Sequence, residues 1–223
     1  MTEFSTRYDR TADVLARLEA ITQFGFGRFD VFRDWTRLMT HALARDDDAY
    51  LDVLDRYADA NAEADRGDRP ADHFAAAFGE LRAATAAVGG DVLGDAYEAY
   101  GMASDAFGQH FSPPAVVRLL AALQDVGTTD GEGATQVSDP ACGSGRLLLA
   151  GIDAADGPVV CLGVDKDEVC ARMAALNCCL VNVDAVVVHG DALTFEGYGA
   201  WRTSRTASGG ALEAVDPEAV GFD

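Results

Sequence analysis

Seven consecutive residues, Asp139-Pro140-Ala141-Cys142-Gly143-Ser144-Gly145, carry the densest chemical content of this chain. The spacing predicts a short strand over residues 135–138 before them and a helix over 146–154 after them. Glycines at a strand-to-helix turn let the backbone approach a ligand closely, with the helix N-terminus behind it. Gly143 and Gly145 can adopt conformations that would strain other residues. Asp139, at the strand end, puts a carboxylate where a cationic amino group could meet it. Asp165 follows a second apolar run, roughly twenty residues beyond the loop, where an acid typically holds ribose hydroxyls. Strand, glycine turn, helix and later acid together point to a cofactor that carries a nucleoside.

Those residues need a frame. Residues 158–164 form an apolar run suited to a buried parallel strand, 166–181 read as a helix, and 185–188 as a third strand ending at Gly190-Asp191. Strand, helix, strand, helix, strand argues for a parallel sheet wound in the Rossmann sense, and only three parallel strands are expected. Upstream, Ser112 and Pro113 suit a helix start, with Val116, Val117, Leu119, Leu120 and Leu123 at helical period. A Gly- and Thr-rich linker, 127–134, leads on to the first strand.

The earlier part of the chain is written differently. Helices are expected over 11–21, 29–43, 49–62 and 74–88, with Val14, Leu18 and Ile21, then Phe32, Trp35, Leu38 and Met39, on single faces. The aromatic stripe reads as core. The expected organisation is a helical N-terminal region, residues 1–106, and an α/β cofactor-binding domain, residues 107–223.

A chain of 223 residues can bury a real core in one or two domains. No apolar run approaches the roughly 20 residues that span a bilayer, and the first residues lack a signal-peptide layout. A soluble, cytoplasmic protein with no membrane contact is expected. The five cysteines form no C-x-x-C pair and have no histidine cluster beside them, so neither a metal site nor a disulfide scaffold is expected. The formal net charge is −20, the acids are dispersed, and Lys166 is the only lysine. That composition resembles halophilic adaptation, since at molar salt the Debye length falls to about 3 Å and self-repulsion is screened. The same charge offers little to DNA phosphates, so engagement of DNA calls for a partner or a further segment.

The loop Asp139–Gly145 resembles the first motif of N6-adenine DNA methyltransferases, especially the modification subunits of type I restriction systems. Gly108-Gln109-His110-Phe111-Ser112-Pro113 resembles the segment of that family that packs on the cofactor, with His110 and Ser112 departing from its usual wording. Val164-Asp165 resembles its ribose-binding acid, and His189-Gly190-Asp191-Ala192-Leu193 the motif whose Asp contacts the cofactor's adenine amine. Leu93-Gly94-Asp95-Ala96-Tyr97-Glu98 looks like the helix before the cofactor segment. The resemblance covers residues 91–193. It implies a Rossmann-like S-adenosyl-L-methionine-dependent methyltransferase core, here with a partial parallel sheet, preceded by a helical domain. It also implies DNA adenine N6 as the methyl acceptor. By it, Phe111, Ser112 and Pro113 line the cofactor, while Asp139, Ala141, Gly143 and Gly145 cradle its amino-acid end. Asp165 binds the ribose and Asp191 accepts from the adenine amine. Pro140, Cys142, Lys166 and Ala192 complete the candidate set.

Methyl transfer to adenine needs more than a bound cofactor, because the N6 lone pair is delocalised into the ring. The family answers with an Asn/Asp-Pro-Pro-Tyr/Phe segment that holds the amine and stacks on the flipped base. The nearest text here, Asp216-Pro217-Glu218-Ala219, lacks the second proline and the aromatic and reads as a helix start or turn. No catalytic residue is assigned. Gly221-Phe222-Asp223 resembles the opening of the family's fourth strand, so the first strand is expected to keep an edge for a protein partner to cover. Two other readings stay open: a non-catalytic cofactor-binding subunit or regulator, and a methyltransferase acting on RNA or protein.

Overall fold

The computed structural model describes residues 4–8, 10–102, 112, 116–117 and 133–222. Phe111, Pro113 and most of the helix and linker expected over 113–132 lie outside the described residues. The chain divides into two compact units, Met1–Gly108 and Gln109–Asp223.

The first unit is helical: α1 (Thr11–Thr22), α2 (Arg28–Ala44), α3 (Asp47–Asp55), α4 (Ala58–Glu63), α5 (Pro70–Val88) and α6 (Val92–Ala99). α1 buries Val14, Leu15, Leu18 and Ile21, and α2 buries Val31, Phe32, Trp35, Leu38 and Met39. These are the i, i+3, i+4 stripes of amphipathic helices. The aromatic stripe is core: Phe32 meets Trp35 at 5.7 Å and Tyr97 at 5.6 Å between ring centroids. The single helix expected over 49–62 is instead two, α3 and α4. The break falls at Tyr57, which is fully buried, packs edge-on against Phe74 and donates its hydroxyl to Asp34 at 3.0 Å. Burying that ring and satisfying its hydroxyl outweighs helix continuation.

Asp95 of α6 has a structural duty. Nearly buried, it accepts from the backbone N–H groups of Arg7 and Tyr8, at 2.9 and 3.1 Å, and from the Thr11 hydroxyl at 2.8 Å. It thereby ties the chain entering α1 to α6. Asp95→Ala strands those donors, and hydrogen bonds to a charged group are worth about 1.5–3 kcal/mol each. The expected loss is about 2–4 kcal/mol of unfolding free energy, measured by urea denaturation followed by helical circular dichroism.

The second unit is an α/β sheet. β1 (Thr135–Asp139), α7 (Arg146–Ala154), β2 (Val159–Asp165), α8 (Glu168–Leu180) and β3 (Asp184–Asp191) are followed by β4 (Glu196–Ser204), β5 (Ala211–Val215) and a 3-10 turn, Glu218–Val220. The sheet order is β1-β2-β3-β4-β5. β1, β2 and β3 are parallel, as the strand-helix alternation requires. The expectation of three strands alone is corrected by β4 and β5, an antiparallel pair that extends the sheet beyond β3. Gly197 and Gly199 dilute the apolar alternation of β4, and β5 buries only Leu212, so neither announces itself as a strand. Their pairing is set from a distance. Asn182 exchanges two side-chain bonds with the backbone of Thr206 at the hairpin's turn, and Trp201 stacks under the Arg172 guanidinium at 4.7 Å.

The two faces of the sheet follow the period of two. α7 and α8 touch each other and lie on one face. α8 is buried from Val169 to Cys179, as a helix wedged against a sheet must be. Val164, Val188 and Ala200 point to the other face, where Phe222 packs over them with Val186, Ala192, Val215 and Val220 around it. Asp216-Pro217 opens the 3-10 turn and lays the proline ring against Gly197. All five cysteines are buried and free. Among the described residues no helix is long and apolar enough to cross a membrane, and no group of acids, histidines and cysteines could hold a metal ion.

Candidate functional site

Three aspartates stand at the C-terminal ends of the three parallel strands. In the register, Asp139 pairs with Gly163, two residues short of Asp165, and Asp165 pairs with His189, two residues short of Asp191. Each strand therefore ends two residues beyond its neighbour, and the carboxylates form a staircase across the sheet edge. Ligands of open parallel sheets bind outside the carboxyl ends of the strands. This edge is the place to look.

The glycine turn is built tightly into that edge. Gly143 and Gly145 both take positive φ, 54° and 82°. Gly145 caps α7, and a Cβ there would meet Cα and Cβ of Ala174 in α8 at 3.2 Å. Only glycine suits both the left-handed backbone and that approach. Pro140 and Ala141 form the exposed rim of the turn, whereas Cys142 is buried with its thiol against Gly163 of β2. Burial pushes the Cys142 thiol well up, aided by the charges of Asp165 and Asp139, so it is a packing residue in a neutral state. Ala192 likewise packs inward, on the hydrophobic cluster of the far face.

Four amides of the turn are already spoken for. Ala141 N donates to Asp139 Oδ1 at 3.0 Å, Cys142 N to the Val164 carbonyl at 2.9 Å, Gly143 N to Asp165 Oδ2 at 2.7 Å and Gly145 N to the Cys142 carbonyl at 2.8 Å. A phosphate-binding glycine loop needs such N–H groups directed at the ligand. Here four of them are spent internally, two of these on the carboxylates of Asp139 and Asp165. The edge suits a ligand with a cationic end and hydroxyl donors far better than a pyrophosphate.

The acids are tuned in opposite senses. Asp165 is half-buried, and that burial raises its pKa above the ordinary 3.8, against the pull of the Gly143 and Asp167 amides. Asp191 is lowered, chiefly by the hydrogen bond from Lys166, whose ammonium lies 2.7 Å from Oδ2. Leu193 N donates to the other oxygen at 2.9 Å.

Two supporting residues escaped the sequence reading. Arg146, the first residue of α7, is buried and donates to the Ser112 carbonyl at 3.2 Å, which ties Ser112 to the end of the glycine turn. Asn177 donates to the Ser144 carbonyl at 2.8 Å from inside α8. Its signal was present in the text: a lone amide in the apolar run Met173-Ala174-Ala175-Leu176-Asn177-Cys178-Cys179. A buried polar group there needs a partner.

The N-6 DNA Methylase family profile matches residues 88–204, just over half of the chain. The chain belongs to the N-6 DNA methylase family. The chain is similar to the type I restriction enzyme MjaVII methylase subunit of Methanocaldococcus jannaschii, 33% identical over 103 residues. That match takes in 43% of the chain and spans 17% of the relative's length. Among solved structures, a Listeria monocytogenes protein described as a class I S-adenosylmethionine-dependent methyltransferase aligns with a TM-score of 0.39 at 16% identity. That alignment covers 79% of this chain and 52% of that one. The family match contains the glycine turn and all three strand-end acids.

Proposed function

We propose that this chain is the cofactor-binding part of an adenine-N6 DNA methyltransferase that uses S-adenosyl-L-methionine. The observation that carries the reading is the acidic staircase at the strand ends combined with a glycine turn that commits four of its amides internally. A nucleoside with a cationic amino-acid arm matches it in charge and in hydrogen-bonding sense. When bound, that cofactor supplies a methyl group on a positively charged sulfur.

The residues divide the work of holding it. Asp139 Oδ1 is fixed by the Ala141 amide, and the carboxylate faces the cationic amino group. Asp165 keeps each oxygen on a backbone N–H, Gly143 and Asp167, and its remaining lone pairs accept from ribose hydroxyls. Asp191 accepts from the amine of the base. Ser112, held by Arg146, contributes to the wall of the pocket. Pro140, Ala141 and Lys166 complete its rim. Desolvation of the cation between Asp139 and Asp165 strengthens its attraction to both.

The acceptor-holding part of the reaction is assigned to no residue of this chain. A net charge of −20 leaves DNA phosphates to be held by a partner subunit or another segment. Among the described residues β1 pairs only with β2, and its other edge is where such a partner would add.

Calorimetric titration with S-adenosyl-L-methionine tests the binding. Saturable heat at one site per chain is expected; no heat and no thermal shift at millimolar cofactor would overturn the proposal. With tritiated cofactor and a reconstituted partner, label is expected at adenine N6 of DNA, and label in RNA or protein instead would refute the acceptor assignment.

A further inference from the structure

Lys166 is the only lysine in the chain, and it stands immediately after Asp165 at the tip of β2. Its ammonium reaches across to Asp191 Oδ2 on the tip of β3, 2.7 Å away. The other oxygen of Asp191 is occupied by the Leu193 amide. Both oxygens of the acid proposed to receive the base amine are thus engaged, one by backbone and one by a side chain. The exposures decide which partner moves: the Lys166 side chain is 67% exposed and that of Asp191 13%.

We propose that Lys166 is a gate on the nucleobase end of the site, an internal cation that holds Asp191 in the empty protein and must swing away before the base amine takes its place. The inference rests on the cofactor reading above, because it assigns Asp191 to the base amine. An exposed ion pair is weak and is screened by salt. Opening the gate therefore costs less at high ionic strength, so the penalty it puts on binding shrinks as salt rises. Exchanging one donor for another on the same carboxylate also makes Lys166 a specificity element: a base without an amine cannot replace the ammonium and leaves the gate shut.

S-adenosylhomocysteine is the probe, since its amino and carboxylate charges cancel and the long-range field of the acidic chain drops out. The full chain is grown with lysine labelled with carbon-13 at Cε, which gives one resonance because there is one lysine. Saturation with the probe is expected to move that resonance and its titration to those of an unpaired lysine. Lys166→Met is expected to bind about two- to fivefold tighter at the lowest salt that keeps both proteins folded by circular dichroism, with the advantage vanishing at molar KCl. A resonance unmoved at saturation overturns the gate, as does weaker binding by Lys166→Met, which would make the lysine a direct contact. Failure of both proteins to bind at any salt removes the cofactor site itself, and the gate with it.

Discussion

Asp165→Ala is expected to weaken S-adenosyl-L-methionine binding by about a hundredfold or more, because one carboxylate does two jobs. It anchors the glycine turn through Gly143 N at 2.7 Å and the start of α8 through Asp167 N at 2.8 Å. It also offers its remaining lone pairs to the ribose. Hydrogen bonds to a charged acceptor are worth about 1.5–3 kcal/mol each, so losing two or three on one side chain gives roughly that factor or more. Calorimetry on the variant measures it, and near-native affinity would show that the turn stands without the acid.

The pH dependence of the same residue has two opposite signs. Burial raises the Asp165 pKa above 3.8, so the folded state favours the protonated form. Its contribution to stability is fully present below the unfolded pKa and is lost as pH rises through the folded one. Cofactor binding needs the ionised acceptor and falls as pH drops through that raised value. Acidification is therefore expected to weaken the cofactor before it harms this part of the fold. Affinity and melting temperature measured side by side down the acid limb check the two trends.

Gly145→Val is expected to be the most damaging single change in the second unit. The residue sits at φ 82°, and a Cβ would press on the backbone Cα of Ala174 at 3.2 Å. A left-handed backbone costs an ordinary residue about 1–2 kcal/mol. Crowding against a packed helix adds about 1–3 kcal/mol, and α8 cannot yield because the sheet backs it. Gly145→Ala is expected to lose about 2–5 kcal/mol of stability by the same two causes, and valine more. Gly157→Ala is the control, since a Cβ there meets nothing within 4 Å and the backbone is not left-handed. Equal melting temperatures for the Gly145 and Gly157 variants would contradict the account of the turn.

The parts of this fold that were legible in the sequence are those whose partners are near in the chain or repeat at a fixed period. The helical stripes of α1, α2 and α5, the three parallel strands and the acids at their ends all belong to this class. What stayed hidden depends on distant partners. β4 and β5 carry glycines and few buried residues, and they become strands because β3 offers an edge and α8 presents Arg172 to Trp201. The break between α3 and α4 is dictated by a pocket for Tyr57 formed by Asp34 and Phe74. At the site, sequence placed Asp165 and Gly143 in one cofactor pocket but could not show that the first holds the second. Lys166 was placed there as a neighbour of Asp165, and its reach to Asp191 is visible only once β2 and β3 stand in register.

The most direct test of the central claim is a crystal structure of this chain with S-adenosylhomocysteine. The account predicts the amino group at Asp139, the ribose hydroxyls on Asp165 and the base amine on Asp191, with the Lys166 ammonium displaced from that carboxylate. A nucleoside bound elsewhere, or bound at this edge with its ribose turned away from Asp165, would contradict it.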